Sequence, residues 1–205
     1  LERIAALLAA SVACFLLGGF VISGAGTGKM VIKLVPLGTI HPTVLEHLQS
    51  HLGGLLRAEV STGKPETLPR EAYESKRQQY LSPPILRLLA STRGGDKERC
   101  KILGLMDEDA YTPGLNFIFG QADTANGVAL ISLARLRQGF YGLPPNQELF
   151  LERALKEAVH EIGHLLGLGH CSEPSCVMYF SNSLADTDRK GHDFCPDCRS
   201  RLRWP

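Results

Sequence analysis

Charge of one sign is scarce in this sequence. Its 205 residues carry 22 Lys and Arg against 21 Asp and Glu, a formal net charge of +1, so the chain offers no electrostatic footprint for nucleic acid or an anionic membrane. The local excess at Arg199, Arg201 and Arg203 reads as a solvated tail. Internal repeats are missing too, which sets repeat architectures aside. A phosphate loop is also absent. In the run GAGTGK that motif needs Gly and Ser or Thr at the positions held by Ser23 and Met30. Nor are the cysteines spread as in an extracellular disulfide framework. Of six, Cys171, Cys176, Cys195 and Cys198 crowd together near three histidines, which points to metal ligation. Thiolate ligands must stay reduced, so a cytoplasmic setting is expected. Cys14 and Cys100 stand apart and read as small buried hydrophobes.

The length fits one domain with a sizeable core. Residues 1–29 form a hydrophobic N-terminal extension. From Ile4 to Gly28 there is no charged side chain, and residues 4–23 are long enough to cross a bilayer as a helix. A membrane anchor, an amphiphilic extension packed on the domain and an over-extended reading frame ahead of Met30 all remain open. A signal peptide fits less well, because no disulfide framework follows it.

From Met30 the pattern becomes regular. MVIKLVPLGTI (30–40) reads as a buried strand stopped by Pro36 and Gly38, and 41–56 has helical apolar spacing. On that helix His47 and His51 share a face without an acid or third ligand, so a solvent-facing pair is the expectation. A strand is expected in RAEVS. A helix is expected over 71–93, interrupted at Ser82-Pro83-Pro84. Three further strands are expected at 101–111, 115–122 and 126–136. The acidic run Asp107, Glu108, Asp109 reads as a solvated turn rather than an ion site. Gln147 to Leu168 is the strongest helix, with a near-continuous apolar stripe after Pro144 and Pro145, and beyond it periodicity is lost. So irregular a tail is expected to owe its order to metal.

The long helix carries HEIGHLLGLGH. One helical turn separates His160 from His164, so both imidazoles project from one face toward a single ion. His170 can join them only if the chain turns sharply, and Gly167 sits where a left-handed residue would make that turn. Three protein ligands leave the fourth zinc position open for water, the arrangement of a catalytic rather than a structural ion. Glu161 is then placed as the general base, taking the proton of that water and later handing it to the departing amine. The extended motif followed by Met178 is the metzincin signature, with the methionine as a hydrophobic floor beneath the imidazoles.

Cys171-x4-Cys176 and Cys195-x2-Cys198 are spaced like a structural zinc site, and four thiolates would close its shell. Two disulfides or a redox pair at CPDC are the alternatives. His192 and Asp193 read as surface residues.

HEIGHLLGLGHC, the CVM run and the terminal CPDC together resemble the archaemetzincins, as does KILGLMDEDAYTPGLNFIFGQAD, so the likeness spans residues 30 to 198. The loop from Tyr179 to Phe194 is one residue shorter than the family pattern. The resemblance implies an α/β fold: a twisted mixed, mostly parallel sheet flanked by helices, an active-site helix and a small irregular zinc-stabilised C-terminal subdomain. It divides the chain into a catalytic part, 30–170, and that subdomain, 171–205. It implies two zinc ions per chain, one catalytic and one structural, and aminopeptidase-like activity on small peptides. Metzincins lay substrate along an edge strand, and NGVALISLARL is the candidate for it. Tyr179 is a candidate oxyanion-stabilising group.

The reading is therefore a monomeric zinc metallopeptidase acting on peptide or protein substrates, without a nucleic-acid partner, and touching membrane only through residues 4–23. The competing function is a catalytically weak, zinc-stabilised peptide-binding module, against which Glu161 argues.

Overall fold

The computed structural model describes residues 29–96 and 98–204. The expectations for the N-terminal extension, the GAGTGK run and Cys14 lie outside the described residues. Among the described residues no helix is long and apolar enough to cross a membrane. The strands are β1 (Val31–Leu37), β2 (Glu59–Thr62), β3 (Tyr73–Glu74), β4 (Gln79–Leu81), β5 (Cys100–Met106), β6 (Ala110–Tyr111), β7 (Gly120–Asp123) and β8 (Val128–Ser132). The helices are α1 (Pro42–Leu55), α2 (Ser82–Ser91), α3 (Gln147–Leu165), α4 (Leu184–Arg189) and α5 (Pro196–Arg201).

The main sheet has the order β2-β1-β5-β8-β7. Its first four strands run parallel and β7 is antiparallel to β8. The central strands have apolar side chains on both faces, as a sheet covered on both sides requires. Ile32, Leu34, Leu103, Ala129 and Ile131 pack with α1 and α3, whereas Val35, Ile102, Met106 and Leu130 pack with α2. Helix α1 starts where expected. Pro42 opens it and His41 Nδ1 accepts a bond from Thr43 N at 3.3 Å.

Several sequence expectations change. Pro83 and Pro84 initiate α2 rather than interrupt a longer helix, because proline fits the first helical turn, where its missing N–H costs nothing. The residues before them form a 3-10 turn and the β3–β4 hairpin. The run 101–111 is two strands, broken where Asp107 and Asp109 turn to pair with Arg137 and Arg135. Of 115–122 only the part from Gly120 onward is a strand. NGVALISLARL is not an edge strand either. Its β8 segment sits inside the sheet and the edge belongs to β7.

Helix α3 is buried more completely than its apolar stripe implies. Asn146 Oδ1 caps it, accepting from Leu149 N at 3.0 Å, and Glu148 favours the positive end of its dipole. One side packs on β7 and β8 and another on α1. Each large aliphatic side chain so buried contributes about 1.5–3 kcal/mol. The remaining polar side, Arg153, Lys156 and Glu157, is buried under α4. There Arg153 forms a two-pronged pair with Asp188 at 2.6 and 2.7 Å, and Lys156 Nζ donates to the carbonyls of Thr187 and Asp188. Glu157 Oε1 accepts from Thr187 Oγ1 at 3.0 Å and lies 3.0 Å from Lys190 Nζ. Ser183 and Asp186 form a capping box that starts α4.

Candidate active site and cysteine cluster

Three histidines converge at the C-terminal end of α3. Helix geometry places His160 and His164 one turn apart, with Nε2 atoms 3.1 Å from each other. Each outer nitrogen is tied to backbone: His160 Nδ1 to Val177 O at 2.7 Å and His164 Nδ1 to Leu168 O at 2.8 Å. Those carbonyls fix the tautomer, so both Nε2 lone pairs face inward. The third imidazole arrives because Gly167 takes φ +89°, the left-handed conformation expected of it. The His170 ring then lies 5.4 and 4.9 Å from the other two ring centres, and one nitrogen from each histidine falls within 4.8 Å of the others.

The electrostatics suit ligands. Burial, then Lys190 and His164, hold His160 well below the ordinary histidine range. Burial chiefly lowers His164 and His170 as well. All three are thus neutral near pH 7, as imidazole ligands must be. Two imidazole nitrogens 3.1 Å apart suit a shared tetrahedral zinc with bonds of about 2.0–2.1 Å.

Glu161 is buried beside them, and its Oε2 has no hydrogen-bond partner among the described residues. Burial, then the neighbouring Glu157 carboxylate, push its carboxyl well above the usual range, and Lys190 opposes them. Gly120 on β7 faces it so closely that a Cβ there would collide with the carboxylate. Met178 is fully buried, its sulfur against Gly163 of α3, where a Cβ would likewise collide. Cys171 N donates to Met178 O at 2.9 Å and Val177 N to Asp193 O at 2.9 Å, so the segment under the histidines is laced to the following loop.

These groups open into a cavity of about 530 Å³. Phe117, Phe119 and Phe180 contribute apolar walls, while Gln121, Ser181 and Asn182 add polar points. Tyr179 does not line it. Its N–H bonds Cys176 O at 2.9 Å, and the next residue, Phe180, turns into the cavity with its ring 4.6 Å from that of His170. Glu157 lines the cavity too, and sequence reading missed it. Its signal was the spacing of Glu157 and Glu161, four apart on one helix face.

Cys171, Cys176, Cys195 and Cys198 also meet, with one sulfur from each within 4.8 Å of the others and no disulfide among them. Backbone N–H groups of Glu173 and Cys195 point at the sulfurs of Cys171 and Cys176, at 3.4 and 3.3 Å, as around metal-bound thiolates. Without a cation, burial and the neighbouring thiols push Cys198 up to about 12, and burial raises Cys176. His192 and Asp193 stay at the surface, bonded to Glu152 and Arg199. The other histidine pair, His47 and His51, stacks at 4.2 Å and joins no ligand cluster among the described residues.

Comparison with known proteins decides the family. The model of peptidase family M54 matches residues 53–204. The chain is 42% identical to the archaemetzincin of Pyrococcus furiosus, over 84% of this chain and 92% of that one. It is 45% identical to that of Methanopyrus kandleri, over 83% and 90%. The chain belongs to the archaemetzincin family. It is a zinc metallopeptidase, and its substrates are peptides. The archaemetzincin of Archaeoglobus fulgidus, crystallised in complex with malonate, superposes with a TM-score of 0.73 at 39% identity, covering 84% of this chain and all of that one. A zinc-dependent peptidase from Methanocorpusculum labreanum gives 0.77 at 32% identity, covering 83% and 99%. The mostly parallel sheet with flanking helices and a terminal cysteine cluster is thus the architecture of this archaemetzincin.

Proposed function

We propose that His160, His164 and His170 hold the catalytic zinc, and that Glu161 is the general base of peptide hydrolysis. One observation carries the reading: three neutral imidazoles face one point beside a buried carboxylate oxygen that has no partner among the described residues. When bound, zinc supplies Lewis acidity and a water whose pKa falls toward about 7. The protein's own part is positioning and proton transfer. The carbonyls of Val177 and Leu168 hold the imidazoles in register. Glu161 Oε2 accepts the proton of the attacking water and returns it to the leaving amine. A raised carboxyl suits both halves of that exchange.

Substrate pairs with β7, the free edge, as an added antiparallel strand, which replaces the β8 segment in that role. Gly120 lets the peptide backbone pass close to Glu161. A second zinc, held by the four cysteines, closes the structural site and orders residues 171–205 as a subdomain. Its reduced thiolates favour a cytoplasmic setting. Action near the amino end of peptides is the preferred mode, with the few residues ahead of the cleaved bond lying along β7, and a peptide-binding module of low turnover is the rival.

The test is Glu161→Gln at equal zinc content. Hydrolysis of a peptide library is expected to fall at least about a thousandfold, near 4 kcal/mol in the barrier, with zinc retained. Equal rates would remove Glu161 from the mechanism and favour the rival.

A further inference from the structure

A file of side chains, rings joined by one guanidinium, leads from the cavity wall to the surface. Phe117, in its wall, meets Phe119 edge to face at 5.2 Å. The Arg135 guanidinium lies 4.4 Å from the Phe117 ring centre and 4.7 Å from that of Phe140. Arg135 cannot swing away, because Asp109 grips it through both carboxylate oxygens at 2.7 and 2.8 Å. Phe140 continues to Tyr141 at 5.2 Å, and the Tyr141 hydroxyl donates back to Arg135 O. At the end of this path Phe140, Tyr141 and Leu143 are 46%, 44% and 52% exposed. Single exposed apolar residues are ordinary, whereas three within four positions, joined to a cavity wall through the guanidinium that Phe117 and Phe140 share, mark a contact surface.

Strand direction says what lies there. A chain paired antiparallel to β7 has its amino end near Asp123 and runs toward Gly120. Gly120 abuts Glu161, so the cleaved bond sits opposite it. Beyond Gly120 the wall is Phe119 and Phe117, and then the Arg135–Phe140 stack. We propose that Phe140, Tyr141 and Leu143 bind apolar side chains of the substrate several residues downstream of the cleaved bond. The inference rests on the peptidase reading and names its substrates: peptides with a long, apolar carboxyl-terminal portion.

The test is a set of synthetic peptides identical up to the cleaved bond and followed by one to eight residues, the longer ones ending in Phe-Leu or in Ser-Ser. For the native enzyme kcat/KM is expected to rise about tenfold when Phe-Leu is placed far enough downstream, and little with Ser-Ser. Leu143→Ser alone should halve the gain at least, and Phe140→Ser/Leu143→Ser should abolish it, both leaving the shortest peptide unaffected. A gain that survives both variants, or no gain in the native enzyme, overturns the proposal. Hydrolysis of the shortest peptide reports separately on the zinc site, so its failure would sink the peptidase reading instead.

Discussion

The two ligand clusters of this archaemetzincin are built in opposite ways. Two of the histidines stand on a helix that hydrophobic burial holds in place, their outer nitrogens already bonded to backbone carbonyls, and His170 follows the turn at Gly167. The cysteines stand on short segments: Cys171 on a bridge to Tyr179, Cys176 in a turn whose N–H bonds Glu173 O, and Cys195 and Cys198 at the start of the six-residue α5. Metal-free, Cys198, pushed up to about 12, and Cys176, raised by burial, keep their protons, whereas hydrogen bonding lowers Cys195. The fold arranges the first cluster, whereas on the proposed reading metal at the second would arrange the chain around it. They are also linked, because His170 and Cys171 are neighbours and Val177 lies between the cysteine pairs while holding His160.

The strongest way to break this contrast is Cys195→Ser/Cys198→Ser. Binding by a structural zinc is worth about 10–16 kcal/mol in small peptides, much of it folding free energy. The variant is expected to lose one of two zinc ions by native mass spectrometry, and with it order beyond His170 by hydrogen exchange. His164→Ala should lose the other ion and leave the fold intact. Equal loss of structure in the two variants would erase the distinction.

A smaller effect tests the seam between the regions. Lys190 is fully buried, and Glu157, 3.0 Å away, is buried too, so the pair lies beyond solvent screening. Lys190→Met leaves an unpaired carboxylate and is expected to cost about 3–5 kcal/mol in denaturant unfolding. Glu157→Leu/Lys190→Met removes both charges and should recover most of that loss. If the double variant is as unstable as the single one, the pair is not what ties α4 to α3.

The chemistry was more legible than the seam. HEIGHLLGLGH declares its geometry because a helix puts residues four apart on one face and glycine permits the left-handed turn, so His160, His164, His170 and Gly167 could be placed from spacing alone. The parallel core was legible for a similar reason: strands covered on both faces are apolar throughout. Arg153, Lys156 and Glu157 carry no such signal, since charges at helical spacing show their buried role only once α4 supplies their partners. The edge strand was hidden because β7 is short and half-buried, whereas β8 is apolar up to Ser132 and so reads more clearly while sitting inside the sheet. Phe117 and Arg135 are 18 positions apart, beyond any local periodicity.

The finest test of the contrast is in protons, each worth about 1.4 kcal/mol per pH unit. The folded-state pKa values of all three histidines lie below 6.5, so above that pH they are neutral both folded and unfolded and have no proton to release. As pH falls through 6.5 the unfolded chain takes up protons that the folded site refuses, so stability and zinc retention decline together in acid. Cys176 and Cys198 behave oppositely near neutrality. Both are raised, both carry protons in the metal-free chain at pH 7, and both must lose them to bind zinc. Calorimetric zinc titration in buffers of different ionisation enthalpy should therefore show at least two protons leaving the cysteine site at pH 7.5, and at most one leaving the histidine site, from the water that zinc acidifies. Release of more than that one proton at the histidine site above pH 7 would mean that its imidazoles are charged before the metal arrives, and that the fold does not hold them ready.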